Sequence, residues 1–174
     1  MDWQKIITEY GPMVWKTAYR LLGNEADTSD CFQDVFLNAV QISRQESVRH
    51  WPALLNRLAT RKAIDLLRKR IQASKAAMQM DCNDCPDTSF NPLQSVLAHE
   101  LSDRLRLALV TLPDLEAQAF CLQTFNDLNY RQIAAQLQVQ AGYVGVLISR
   151  AREKLQRLLS SAAVKEEFRS KAYE

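Results

Sequence analysis

The chain has 174 residues, enough for one good core or two small ones. Lysine and arginine number 22 against 20 aspartates and glutamates, so the formal net charge is only +2 and a nucleic-acid partner has to be argued from local charge. Glycine and proline are scarce at four and five residues, and alanine, leucine, glutamine and arginine are plentiful, a composition that favours helices nearly throughout.

Residues 3–22 carry Ile6, Ile7, Val14, Trp15, Ala18, Tyr19 and Leu22 near helical spacing. Gly11-Pro12 interrupts them, as a kink or as a break between two short helices. A turn at Gly23-Asn24 leads to a helix over 26–42 with Phe32, Val35, Phe36, Ala39 and Val40 on one stripe. Asp27, Asp30 and Asp34 lie off that stripe. They read either as a separate acidic surface that attracts a basic protein partner or as ordinary solvated polarity. Asp27 or Thr28 also suits the start of that helix.

Residues 43–50 are polar and read as a loop. A third helix, with Pro52 in its first turn, is predicted to about Ala77, with Leu54, Leu55, Leu58, Ala59, Ala63, Ile64 and Leu67 inward. From Arg57 to Lys75 there are seven basic residues and one acid, Asp65. Arg57, Arg61, Lys62, Arg68, Lys69 and Arg70 recur on overlapping helical faces, and such a cation row can follow a phosphate backbone. Trp51, just upstream, could stack on an unpaired base or sit in the core. The bland alternative is a charged amphipathic face.

Residues 80–92 hold three aspartates, two prolines and several turn formers, and read as a linker. The expected organisation is all-α: a helical domain over 1–79, the linker, a second helical domain over 93–160 and a tail over 161–174. In the second half the pattern predicts a helix near 93–111, a turn at Leu112-Pro113 and a helix to about Thr124 with Ala119, Phe120 and Leu122 inward. After a loop at 126–129 come a short helix over Tyr130 to Leu137, a turn at Gln138 to Gln140, and a helix from Ala141 to about Leu159. Ile133, Ala134 and Leu137 face Val144, Leu147 and Ile148 across that turn, the arrangement of a helix-turn-helix.

The front of the last helix is Gln140, Ala141, Tyr143, Gly145, Val146 and Ser149, with no cation for guanine or phosphate. Glutamine can read adenine, and small apolar groups can meet a thymine methyl. Charge returns at Arg150, Arg152, Lys154 and Arg157, which could grip phosphates or merely favour the C-terminal end of a helix.

Two segments resemble the polymerase-binding and −10-recognition helices of bacterial sigma factors of the extracytoplasmic-function type: DTSDCFQDVFLNAV (Asp27 to Val40) and WPALLNRLATRKAIDLLRKR (Trp51 to Arg70). LPDLEAQAFCLQTFNDLNYRQIAAQL and SRAREKL are similar to the family's second domain, which reads the −35 element. The resemblance covers residues 6–160 in order. It implies that Asp30, Gln33, Asp34 and Phe36 dock on core RNA polymerase, with Asp27 beside them in the acidic row. It further implies that Arg57, Arg61, Lys62, Asp65, Arg68 and Arg70, with Trp51 and Lys69 alongside, lie in the −10 region. By the same resemblance, Tyr130, Arg131, Gln140, Tyr143, Ser149, Arg150, Arg152 and Lys154 would belong to the −35 reader, and the 43–50 segment would occupy the loop that receives a flipped base in this family.

The chain departs from the family pattern where the recognition helix opens. A threonine, valine, lysine, serine, arginine run is usual there, and Tyr143, Val144, Gly145, Val146 and Leu147 replace it. The usual arginine after Leu-Pro is missing near Ala117, and the usual turn glycine is Gln138.

The implied activity is that of an alternative sigma factor that binds core polymerase and promoter DNA, with an anti-sigma protein as a further partner. Two alternatives stay open: a polymerase-binding regulator that has lost ordinary promoter reading, and an independent DNA-binding repressor. An enzyme is a poor fit, because His50 and His99 are the only histidines and no phosphate-cradling glycine loop is present. No cofactor and no metal are expected. Of the cysteines, Cys31 and Cys121 fall in apolar helical patterns and read as buried thiols; Cys82 and Cys85 form CNDC in the linker, read as free thiols, with a redox switch or half a zinc site as alternatives. No apolar run reaches the roughly 18 residues of a membrane span. The N-terminus lacks a secretory pattern, and no membrane insertion and a cytoplasmic location are expected.

Overall fold

Seven helices account for the regular structure of the computed structural model, which describes the backbone of residues 2–80 and 93–171 and side chains within 2–74 and 100–160. They are α1 (Trp3–Leu22), α2 (Glu25–Gln45), α3 (Trp51–Met80), α4 (Leu93–Val110), α5 (Asp114–Asn126), α6 (Tyr130–Leu137) and α7 (Ala141–Lys171). The CNDC pair, Cys82 and Cys85, lies outside the described residues.

Local chemistry sets most of the helix ends. The Asp2 carboxylate accepts the Lys5 amide at 3.2 Å to start α1, and the Asn24 side-chain oxygen accepts the Asp27 amide at 2.8 Å to start α2. Between them Gly23 adopts φ 72° and donates its amide to the Tyr19 carbonyl, a left-handed stop that glycine makes at no steric cost. His50 Nδ1 accepts the Ala53 amide at 3.2 Å at the head of α3. At Pro12 the helix is not broken: α1 runs continuously through it.

Three ends differ from the sequence expectation. Residues 43–45, expected in a loop, continue α2 to Gln45; α3 reaches Met80; and α7 runs to Lys171 instead of stopping near Leu159. Residues 160–171 contain neither glycine nor proline and are rich in alanine, lysine and glutamate, so helix propensity carries the backbone onward.

In the first half, Val14, Ala18 and Leu21 of α1 meet Cys31, Val35 and Ala39 of α2 and Leu55, Ala59, Ala63 and Leu67 of α3, all essentially inaccessible to solvent. Alanines on α3 leave room for the other two helices to approach. The same apolar cluster then continues across the chain into Ala108, Leu109, Leu112, Ala117, Cys121, Ala151 and Leu155. The second half is therefore seated against the first, with α3 as the shared wall. A smaller cluster of Ala119, Leu122, Ile133, Ala134, Val144, Leu147 and Ile148 holds α5, α6 and the start of α7 together. Phe120, expected inward with Ala119 and Leu122, is only half-buried and packs against the larger cluster.

Candidate nucleic-acid interface

The acidic row of α2 and the basic row of α3 do not form separate surfaces. Lys62 Nζ lies 2.7 Å from Asp34 and Arg70 Nη1 lies 2.7 Å from Asp27, so ion pairs lace the two helices together. Asp27 also accepts from Asn24 Nδ2 at 2.8 Å, and Arg70 also donates to the Leu22 carbonyl at 3.1 Å. These are partly exposed pairs, worth at most about 1 kcal/mol each, and their effect is to fix where the row points. Of the remaining candidates, Asp30 and Gln33 are exposed, whereas Phe36 is 7% exposed and belongs to the core.

An edge of Phe36 nevertheless reaches the surface. With Trp3, Ile7, Phe32, Gln33, Leu37 and Val40 it lines an apolar groove between α1 and α2. Leu37 is 62% exposed and Ile7 40% exposed there. Sequence reasoning passed over Leu37 because it lies off the buried stripe of α2.

On α3, Arg61 and Lys69 are exposed. Trp51 is half-buried and meets Trp3 edge-on with ring centroids 5.3 Å apart, so part of its ring packs against α1. Arg57 and Arg68 turn to the second half: Arg57 Nη1 donates to the Gln136 carbonyl at 3.2 Å. Arg68 Nη2 donates to the Leu112 carbonyl at 2.8 Å, its Nε to the Val110 carbonyl at 3.4 Å, and its Nη1 pairs with the Asp114 carboxylate. Asp65 is half-buried.

The helix-turn-helix is built by α6 and the first turns of α7. Asn129 and Gln132 form a reciprocal cap on α6, at 3.0 Å and 2.9 Å. Gln138 closes the helix in the left-handed region at φ 56°, so the glycine-free turn does fold, with a side chain held in a conformation that disfavours one. Val144, Leu147 and Ile148 are buried against Ile133 and Ala134. The outer face presents Gln140, Ala141, Tyr143, Val146 and Ser149, with Gly145 half-exposed under the Tyr130 ring. Tyr130, Arg131 and Arg150 are exposed as expected.

Arg152 is exposed but donates to Gln123 Oε1 at 2.9 Å. Lys154 is tied down: its Nζ sits 2.8 Å from Glu116, whose side chain is only 7% exposed. Sequence reasoning did not find Glu116, because its partner lies far away in the chain. Burial pushes the thiols of Cys31 and Cys121 up to about 12, which leaves both neutral at ordinary pH. Among the described residues no cluster of histidine, cysteine and carboxylate has the makings of a metal site, and no helix is long and apolar enough to cross a membrane.

Two family models match the chain: Sigma-70 region 2 over residues 6–71 and Sigma-70, region 4, over residues 102–155. The chain is 28% identical over 159 residues to the ECF RNA polymerase sigma factor SigE of Mycolicibacterium smegmatis, covering 91% of this chain and 62% of that protein. It is 28% identical over 163 residues to the ECF RNA polymerase sigma factor SigW of Bacillus subtilis, covering 88% of this chain and 87% of that protein. Its fold resembles that of the sigma factor RpoE from Bartonella quintana, solved in complex with the anti-sigma factor NepR, with a TM-score of 0.55 at 21% identity, covering 91% of this chain and 97% of that one.

Proposed function

The chain belongs to the sigma-70 family, and from that membership we propose that it is an alternative RNA polymerase sigma factor of the extracytoplasmic-function type. It binds core polymerase, directs it to promoters and assists melting of the −10 element, while polymerase performs nucleotide transfer. The observation that carries this reading is the conjunction of region 2 and region 4, in order, on one chain. The proposed halves, 1–79 and 93–160, contain the matched segments, which supports that division.

In this reading the groove around Gln33, Phe36 and Leu37, with Asp30 at its side, receives core polymerase. Asp27 and Asp34 act there mainly by holding α2 against α3. The basic row Arg57, Arg61, Lys62, Arg68, Lys69 and Arg70 carries the −10 strand. Unstacking bases costs a few kcal/mol, offset by phosphate contacts along that row. Trp51 buttresses the head of α3.

The second half holds the upstream duplex. Arg131, Arg150 and Arg152 contact phosphates, and Gln140, Tyr143, Val146 and Ser149 face the groove, where they favour A·T-rich sequence. Tyr130 supports the helix under Gly145, and Lys154 serves the fold through Glu116. A cytoplasmic location follows from this function. Because the fold resembles a sigma factor solved with an anti-sigma protein, a partner of that kind is proposed as well.

The test is transcription from a randomised promoter library with cognate core polymerase, with and without the chain. Protein-dependent starts sharing an upstream consensus are expected. An absence of starts, with core binding intact, overturns the reading in favour of a polymerase-binding regulator that has lost −35 recognition. That second reading is favoured by one observation, the uncharged and partly apolar outer face at Tyr143 and Val146.

A further inference from the structure

A cavity of about 440 Å³ opens where the head of α3 meets α6. Pro52, Ala53 and Leu54 form one wall, and Leu128 and Ala135 form the other. Small-molecule sites have this size and this character, a mostly apolar enclosure with a few polar groups set into it. Of the side chains placed on polymerase or on promoter DNA in the proposed function, only Arg57 reaches the cavity.

Two near-buried amides sit among the apolar side chains, Asn56 at 6% and Gln136 at 7% exposed. Asn56 is engaged: its Oδ1 accepts from Asn126 Nδ2 at 2.7 Å. The side chain of Gln136 is not. Its backbone carbonyl accepts from Arg57 Nη1 at 3.2 Å, but its side-chain Oε1 is buried with no donor. Buried acceptors without a partner are rare and destabilising, so this oxygen calls for one. A donor arriving in the cavity supplies it after rotation about the last side-chain torsion, which is broad for glutamine. Among the described residues no carboxylate lines the cavity, so nothing there holds a cation. Its permanent charge is the Arg57 guanidinium, which favours the face of an aromatic ring.

We propose that the cavity binds a small neutral aromatic compound with a hydrogen-bond donor on its ring, of the indole or phenol type. The ring lies between the α3 and α6 walls, and its N–H or O–H donates to Gln136 Oε1. Because the walls come from both halves of the chain, such a compound binds where they meet and stabilises the folded chain by mass action.

Indole and 1-methylindole test this, since they share a ring system and differ in the one donor. Both are titrated into the full chain and followed by backbone-amide NMR shifts and by thermal unfolding. Saturable shifts are expected at Ala53, Leu54, Leu128 and Ala135, with a Tm that climbs with indole concentration. Indole should bind tighter than 1-methylindole by about tenfold, the scale of one buried hydrogen bond. Gln136→Leu keeps the shape and removes the acceptor, and should bind the two compounds equally. Ala135→Phe fills the cavity from an exposed helix position, and should bind neither while circular dichroism shows native helix content.

No saturable shifts in the wild type, or shifts confined to the groove of Trp3 and Phe36, overturn the inference. Equal affinity for the two compounds in the wild type does the same, as does binding undiminished in a folded Ala135→Phe. Should Ala135→Phe fail to fold, Gln136→Leu decides: a preference for indole that persists there rejects Gln136 as the acceptor, and with it the proposed site.

Discussion

Glu116 is a carboxylate held 7% exposed with a lysine 2.8 Å away, and the physics of that arrangement decides what Lys154 is for. Breaking a buried pair from one side leaves an uncompensated charge. Because Lys154 itself is 38% exposed, solvent softens the penalty, and Lys154→Ala is expected to cost about 1–2 kcal/mol in urea unfolding. Glu116→Gln in the same background should recover most of that loss; a phosphate-gripping role alone predicts no loss of stability at all. The two buried thiols give a pH signature. Their folded pKa, about 12, lies above the ordinary value, which is about 8.5 in an unfolded chain. Below the unfolded value both states are protonated and the stabilisation is complete. As pH rises further, the unfolded thiols ionise first and stability falls toward the folded value. Urea midpoints should therefore drop between pH 8 and pH 10, and less steeply in Cys31→Ala/Cys121→Ala; equal slopes would rule out the thiols as the cause.

At the scale of the element, the recognition helix and its turn carry two departures with opposite remedies. Gln138 sits at φ 56°, where a Cβ costs about 1 kcal/mol and glycine costs nothing sterically. Gln138→Gly is expected to raise the melting temperature by a few degrees, while an unchanged or lower value would mean that the side chain contributes something the geometry does not reveal. Gly145 is half-exposed, and a Cβ there would meet only the Tyr130 ring at an ordinary 3.5 Å. Gly145→Lys should strengthen the helix by about 0.5–1 kcal/mol. It should also steepen the salt dependence of duplex binding by about 0.9 in log–log slope, the signature of one added phosphate contact. An unaltered slope would show that this face does not meet the backbone. Leu147 could not accept the same change, since it is 2% exposed in the helix-turn-helix core. The scaffold of this element was legible in the sequence, because Ile133, Ala134, Val144 and Ile148 repeat at the spacing that buries them. The left-handed turn was legible as well, from the position of Gln138. The pairing of Lys154 with the buried Glu116 was not, because a pair 38 residues apart leaves no periodic trace.

At the scale of the molecule, the sequence separates two helical halves by a proline- and aspartate-rich segment, yet the main apolar cluster runs through both. The reason that sequence missed this is physical. Arg20 donates to the Phe125 carbonyl and Arg106 to the Leu21 carbonyl across the boundary, and every residue has a carbonyl, so no residue type or spacing marks the acceptor. Leu109 and Cys121 likewise look the same whether they pack within their own half or against α3. A shared core has a measurable consequence. Trp3, Trp15 and Trp51 all lie in the first half, so tryptophan fluorescence reports that half alone, whereas far-ultraviolet circular dichroism reports the helices of both. If the halves unfold as one cooperative unit, the two probes give superimposable urea transitions. Arg106→Ala removes the hydrogen bond from α4 to the Leu21 carbonyl at the end of α1, and in that variant the two curves should separate. Coincident curves in the wild type and separated curves in the variant would show that contacts across the boundary couple the unfolding of the two halves. Separated curves in the wild type would instead mean that the apolar seam between the halves contributes little to their common stability.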